Sequence, residues 1–219
     1  MAIIYKYITY FFLLLVLQSC SNARSFDEIS SIFKLLEDNN KELKTFSKEE
    51  IEKFEYPIIE VRTNGLIKQV LMLPISSRYN FTNYFSGSGP ILTMNGAMIS
   101  KTNGMNTYLN SIITDTTNPI IEKKPISKWT GFYEKKYIFL TETFNSKEIS
   151  FNCYFGDKIN ESIEILQEKH TLAKIEEHCF NDSKRFKNTY WVDTSGFVIK
   201  SKQLISIKDV FATVIFLKV

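Results

Sequence analysis

Glycine and proline are scarce in this 219-residue chain, eight and five in all, and that scarcity excludes a disordered or repetitive stalk. Histidine is scarcer still. His170 and His178 are the only two, and neither stands at a metal-ligand spacing from the other or from a cysteine, so both are read as structural and no metal site is expected. Lys and Arg exceed Asp and Glu by only three, with no polybasic run, which leaves no electrostatic footprint for nucleic acid. Phosphate-binding loops are missing too. "FSGSGPIL" offers Gly87 and Gly89, but neither the third glycine of the dinucleotide fingerprint nor the ending of a P-loop. No Gly-x-Ser-x-Gly elbow occurs, and Ser86, Ser88 and Ser195 have no histidine near them in sequence. The chain therefore predicts no cofactor and no catalytic residue. Glu142 and Glu148 flank an expected turn, and carboxylates about 5 to 10 Å apart run glycosidase chemistry, yet acids this frequent pair by chance. Long apolar runs are absent as well. A membrane-spanning helix needs about 20 apolar residues, and the run from Ile8 to Leu17 is too short.

That run has instead the length of a secretory h-region, about 7 to 15 residues, with Lys6 before it and Leu17-Gln18-Ser19-Cys20 after it. The order Leu-x-Ser-Cys resembles the bacterial lipobox. The resemblance implies cleavage between Ser19 and Cys20, an S-diacylglycerol and an N-palmitoyl group on Cys20, residues 1–19 removed as a signal peptide, and a single β-rich domain over 20–219. Each buried methylene contributes about 0.8 kcal/mol, so two or three acyl chains hold such a protein on its membrane. Lipoproteins of this kind stay at the inner membrane when Asp follows the cysteine. Ser21 stands there, which implies the outer membrane, with the domain facing the periplasm. Behind a lipobox the sequons at Asn80, Asn160 and Asn181 carry no meaning.

With 18 Phe and 11 Tyr, the chain is rich in residues that suit pleated surfaces. Helical period appears mainly at the mature amino end. Ser25 and Glu28 have capping-box spacing ahead of Ile29, Ile32, Phe33 and Leu36, which predicts a helix from Phe26 to near Asp38. Ser47 and Glu50 repeat the order before Ile51 and Phe54, and Pro57 ends whatever forms there. Beyond Pro57 strand follows strand. Asn64-Gly65, Asn95-Gly96 and Asn103-Gly104 read as hairpin turns of type I′. Residues 160–180 fit a strand pair or, in part, a helix, and strands are preferred. Asp193-Thr194-Ser195-Gly196 joins two strands, with Asp placed for an Asx bond and Gly for the left-handed position, and a last strand runs from Val210 to Leu217. The predicted fold is mainly β: one antiparallel, strongly curved sheet or partial barrel built from hairpins, with one or two short N-terminal helices.

With Cys20 taken by lipid, Cys153 and Cys179 remain, each in an expected strand. In an oxidising compartment they either bridge or stay as two buried thiols, and their spacing leaves both open.

The block "KNTYWVDTSGFVIKSKQLISIKDVFATVIFLKV", residues 187–219, resembles the carboxyl-terminal end of the YjbF/GfcB family of bacterial lipoproteins. The matching elements are Asn188 to Asp193, Gly196, Ser201-Lys202-Gln203 and Phe216-Leu217-Lys218; "YPIIEVRTNG" and "LTMNGAMISKTNG" extend the likeness more weakly. The resemblance implies an outer-membrane lipoprotein that serves the making or export of extracellular polysaccharide, encoded beside other envelope proteins and without assigned catalytic residues. Its partners would be envelope proteins of a polysaccharide secretion system, or the polysaccharide itself. Two other readings compete. A half-barrel carrier for lipid or lipoprotein would need an apolar cavity, and a glycan-modifying enzyme would need converging carboxylates with perturbed pKa values. Trp191 is expected to fill the sheet's core rather than to present a platform for sugar.

Overall fold

Thirteen strands, hydrogen-bonded antiparallel, make up nearly all of the regular structure in the computed structural model, which describes residues 45–219 apart from 65–68, 88, 106–107, 115–117, 123, 142 and 144. The expected signal peptide, Cys20 and the helix predicted over 26–38 lie outside the described residues. The first described helix, α1 (Lys48–Glu52), begins where the capping box predicts. The Glu50 amide donates to Ser47 Oγ at 3.3 Å, and the Ser47 amide donates to Glu50 Oε2 at 2.8 Å.

From there the strands are β1 (Ile58–Thr63), β2 (Gln69–Arg78), β3 (Phe81–Phe85), β4 (Ile91–Asn95), β5 (Met98–Asn103) and β6 (Leu109–Thr114). After a short helix, α2 (Pro119–Glu122), come β7 (Phe132–Leu140), β8 (Ser146–Phe155), β9 (Ile159–Ile165), β10 (Glu168–Phe180), β11 (Arg185–Val192), β12 (Val198–Leu204) and β13 (Phe211–Lys218). One sheet runs in the order β5-β4-β3-β2-β1-β13-β12-β11-β10-β8-β7-β6, and its two ends, β5 and β6, come together. The result is a nearly closed barrel. Strand β10 is long enough to change partners, pairing with β9 through Lys174 and with β8 from Glu177 onward.

Alternation sets what faces inward. On β11, Phe186, Asn188 and Tyr190 point to the core, and Lys187 and Thr189 point out. The interior is filled by such side chains, among them Tyr137, Tyr190 and Phe151, all at most 2% exposed. Polar residues cross it too. Gln203 on β12 donates to the Ala97 carbonyl at 2.8 Å and accepts from the Ile99 amide at 3.0 Å, tying the β4–β5 hairpin to the far wall. The segment carrying α2 packs against two tight turns. A Cβ on Gly96 would meet the Ile120 carbonyl at 2.8 Å, and one on Gly196 would meet the Lys124 carbonyl at 3.2 Å.

The turns partly depart from expectation. Asp193 Oδ1 accepts from the amides of Ser195 (2.8 Å) and Phe197 (2.9 Å), so the β11–β12 turn uses the Asx bond. At Asn95-Gly96, however, the central pair is Gly96-Ala97 and only Gly96 has positive φ, which is the type II′ pattern rather than I′. Asn103-Gly104 ends β5 without forming a hairpin, and Gly65 lies outside the described residues. Among the described residues, a turn with both central residues at positive φ is Leu166-Gln167, at 52° and 65°, between β9 and β10. Residues 160–180 are therefore a strand pair.

Candidate functional site

Strands β7, β8, β10 and β11 lie side by side, and directly opposed residues on their outward face form a row: Phe132, Tyr154, His178, Lys187. Phe132 and Tyr154 have ring centroids 5.1 Å apart, and Tyr154 and His178 stack at 5.0 Å with planes 11° apart. A second row beside it holds Glu134, Asn152, Phe180 and Arg185, where Phe180 meets Tyr154 edge-on at 6.4 Å. Phe132, Tyr154, His178, Lys187, Phe180 and Arg185 line an open groove of about 530 Å³. Phe132 is 75% exposed, more than packing alone explains for a large apolar side chain in a contiguous aromatic patch.

The row is held in place from beneath and from the side. Cys153 and Cys179 precede Tyr154 and follow His178, point to the opposite face, and are joined by a disulfide whose Cα atoms are 4.2 Å apart. That distance belongs to a directly opposed, non-hydrogen-bonded antiparallel pair, where a cross-strand bridge fits. Gly156 leaves room for the imidazole, since a Cβ there would approach His178 Nε2 at 3.0 Å. Glu176 accepts from Lys187 Nζ at 2.8 Å and lies 3.5 Å from His178 Nε2, and the Lys187 hydrogen bond holds its carboxyl below the ordinary value.

Directly behind, the inward residues of the same strands form a buried polar cluster. Lys135 and Glu177 are both fully buried, with Lys135 Nζ 2.7 and 2.9 Å from the two carboxylate oxygens. Asn188 Nδ2 donates to Glu177 Oε2 at 2.6 Å, Tyr190 Oη at 3.2 Å, and Tyr133 Oη bonds to Oε1. Asn188 also accepts from the Leu204 amide at 2.8 Å. Burial pushes the Glu177 carboxyl upward, but the Lys135 charge and the donated hydrogen bonds outweigh it, and the carboxyl ends below its ordinary value of 4.5. Burial and the neighbouring Glu177 charge push the Tyr133, Tyr137 and Tyr190 hydroxyls well up. This network is saturated. It holds an ionised carboxylate among protonated donors, which suits a structural clamp and not a group that exchanges protons near neutrality. The Cys153 and Cys179 sulfurs approach Glu177 closely, but being bonded to each other they offer no thiolate.

Other residues singled out from sequence are dispersed. Glu148 pairs with Lys136 on the outer face at 3.0 Å, while Glu142 and Ser88 lie outside the described residues. Ser86 sits in the β3–β4 loop, bonded to the Pro90 carbonyl, and Ser195 is in the Asp193 turn. His170 lies on β10 beyond the ladder. Trp191 corrects an expectation: it is 8% exposed, yet it stands on the outward face, outside the contiguous core, with the Lys200 and Lys174 ammonium groups 4.6 and 5.9 Å from its ring. Aliphatic lysine stems supply the cover that a core would have given. Burial, then the Arg62 charge, hold the Lys200 ammonium below its ordinary value.

Sequence reasoning did not find the aromatic ladder, because its members are far apart in the chain. The readable signal was outward parity: Phe132 alternates with Lys135 and Tyr137, and Tyr154 with Cys153 and Phe155.

The residues carrying the sequence resemblance have visible work here: Asn188 in the Glu177 cluster, Gln203 across the interior, and Lys218, whose Nζ bonds to the Phe54 carbonyl at the end of α1. No curated protein matches the chain. The crystal structure of the hypothetical lipoprotein YmcC from Escherichia coli K12 shares its fold, with a TM-score of 0.70 at 17% identity, covering 87% of this chain and 95% of that one. The family model described as "Group 4 capsule polysaccharide lipoprotein gfcB, YjbF" matches residues 26–210, so this chain belongs to the YjbF family of capsule polysaccharide lipoproteins.

Proposed function

We propose that this protein is a non-catalytic component of an extracellular polysaccharide production or secretion system, anchored by lipid on Cys20 to the outer membrane and facing the periplasm. It acts there by binding a partner protein or the glycan. The observation that carries the reading is the family match over residues 26–210. Membership in a family of envelope lipoproteins agrees with Leu17-Gln18-Ser19-Cys20, and Ser21 supports sorting to the outer membrane. An acyl carrier would need an empty lumen, whereas Tyr137, Tyr190 and Phe151 occupy this one. Of the two buried carboxylates among the described residues, Glu177 is locked by its donors and Glu60 is engaged by Arg62 and Gln69, which favours binding over catalysis.

The test is a clean deletion with quantitation of surface and secreted polysaccharide. Loss of polysaccharide, restored by the wild-type gene but not by Cys20→Ala producing a folded domain, is the expected result. Unchanged polysaccharide in the deletion strain would remove the proposal.

A further inference from the structure

The outward ladder is an aromatic surface with no role in the core, and its geometry points to a ligand. Strands in a sheet lie about 4.8 Å apart, so a row of directly opposed residues presents one ring per strand at that interval. This is close to the length of one sugar ring. Aromatic faces carry negative quadrupole density and attract the weakly positive C–H faces of sugars. Phe132 offers its ring to solvent and Tyr154 continues the surface toward His178.

Charge breaks the symmetry of the groove. At the β11 end stand Arg185 and Lys187, both exposed, and Arg185 has no ion-pair partner among the described residues. Three carboxylates stand by the surface: Glu176, already engaged by Lys187; Glu134, at the opposite end of the second row; and Asp182, in the β10–β11 turn beside Arg185 and without an ion pair to it. A chain running from Phe132 and Tyr154 across to the β11 end of the second row would thus meet apolar ring faces first and the Arg185 guanidinium last. The Cys153–Cys179 bridge and the seat made by Gly156 fix the strand register beneath, so little ordering remains to oppose binding.

We propose that this face is a docking site for a segment of acidic polysaccharide, with successive sugar rings on Phe132 and Tyr154 and a carboxylate on Arg185. The proposal deepens the function proposed above and rests on it.

The test is calorimetric titration of the purified lipoprotein in detergent with polygalacturonate oligomers and with their methyl-esterified counterparts. Saturable binding of the acidic probe is expected. Phe132→Ala combined with Tyr154→Ala should weaken it at least about tenfold, and Arg185→Gln should weaken the acidic probe about tenfold while leaving the ester unaffected. Unchanged unfolding midpoints serve as the folding control, and Arg185→Gln, a surface change, keeps the test open if the aromatic variant misfolds. No saturable binding of the acidic probe, or binding indifferent to these substitutions, overturns the proposal. So does an envelope protein that binds the wild type, fails to bind the ladder variant, and is accompanied by no glycan binding. The two proposals fail separately. If deletion abolishes polysaccharide and the ladder variant restores it fully, the docking site falls and the function stands; normal polysaccharide in the deletion strain removes the function itself.

Discussion

The two faces of β7, β8, β10 and β11 are built from alternate residues of the same strands and have opposite economies of contact. Inward, Lys135, Glu177, Asn188 and Tyr190 are hydrogen-bonded to one another, and none of the four reaches solvent. Outward, Phe132 is mostly exposed and Arg185 points to water without an ion-pair partner among the described residues. A saturated, buried network fixes structure, because any loss leaves a charge or donor unpaired. An unsaturated exposed one has contacts still to make. The two-residue period of the strand lets one stretch of chain do both jobs.

The largest way to break this contrast is to unpair the inner face. Lys135→Met leaves Glu177 ionised and buried without its cation, and removal of one partner of a buried pair costs about 3 to 5 kcal/mol. Urea unfolding should show that loss. The double change Lys135→Met with Glu177→Leu should recover most of it, since the desolvation cost of both charges goes with them. A single substitution costing under about 1 kcal/mol would mean that the cluster is not the clamp described.

Acid probes the same network without mutation. The folded Glu177 carboxyl is depressed below 4.5, so its contribution is present above that value and is lost as pH falls through the lower folded value. Stability measured from pH 6 downward should therefore fall below about pH 4.5, and the double variant should show a flatter acid limb. The next effect is smaller. Gln203→Leu leaves the Ile99 amide and Ala97 carbonyl without the partner that spans the interior, and should cost about 2 kcal/mol in the same unfolding assay.

Much of the frame is legible in sequence, and the reasons are local. Asp193 and Gly196 announce a turn because an Asx bond and a positive φ act within a few residues. Strand character follows from aromatic and β-branched density, and Ser47 with Glu50 marks the helix start. What stays hidden depends on pairing across the sheet. Lys135 lies between Glu134 and Lys136 and reads as part of a solvated charged run, yet parity and a partner 42 residues away bury it. Leu166 and Gln167 carry no turn chemistry, and the flanking β9–β10 pairing holds them at positive φ. Trp191 has the composition of a core residue, and a bulge-flanked position on β11 with lysines on both neighbouring strands covers it from outside. The ladder is hidden for the same reason as Lys135: its four members come from four strands.

The smallest expected effect is the one that sharpens the contrast most. Phe132→Ala removes a large apolar side chain, and at an interior site that would cost about 3 to 5 kcal/mol. Here the ring is 75% exposed and its main contact is one tilted pairing with Tyr154, so the loss should be below about 1 kcal/mol. Thermal or urea unfolding of the single variant measures it directly. A cost in the interior range would show that Phe132 is covered in solution by another part of the molecule, and the outward face would then be a second core. A near-zero cost leaves an exposed aromatic that stabilises nothing in the fold, at the head of a row whose remaining members are held in register by a disulfide.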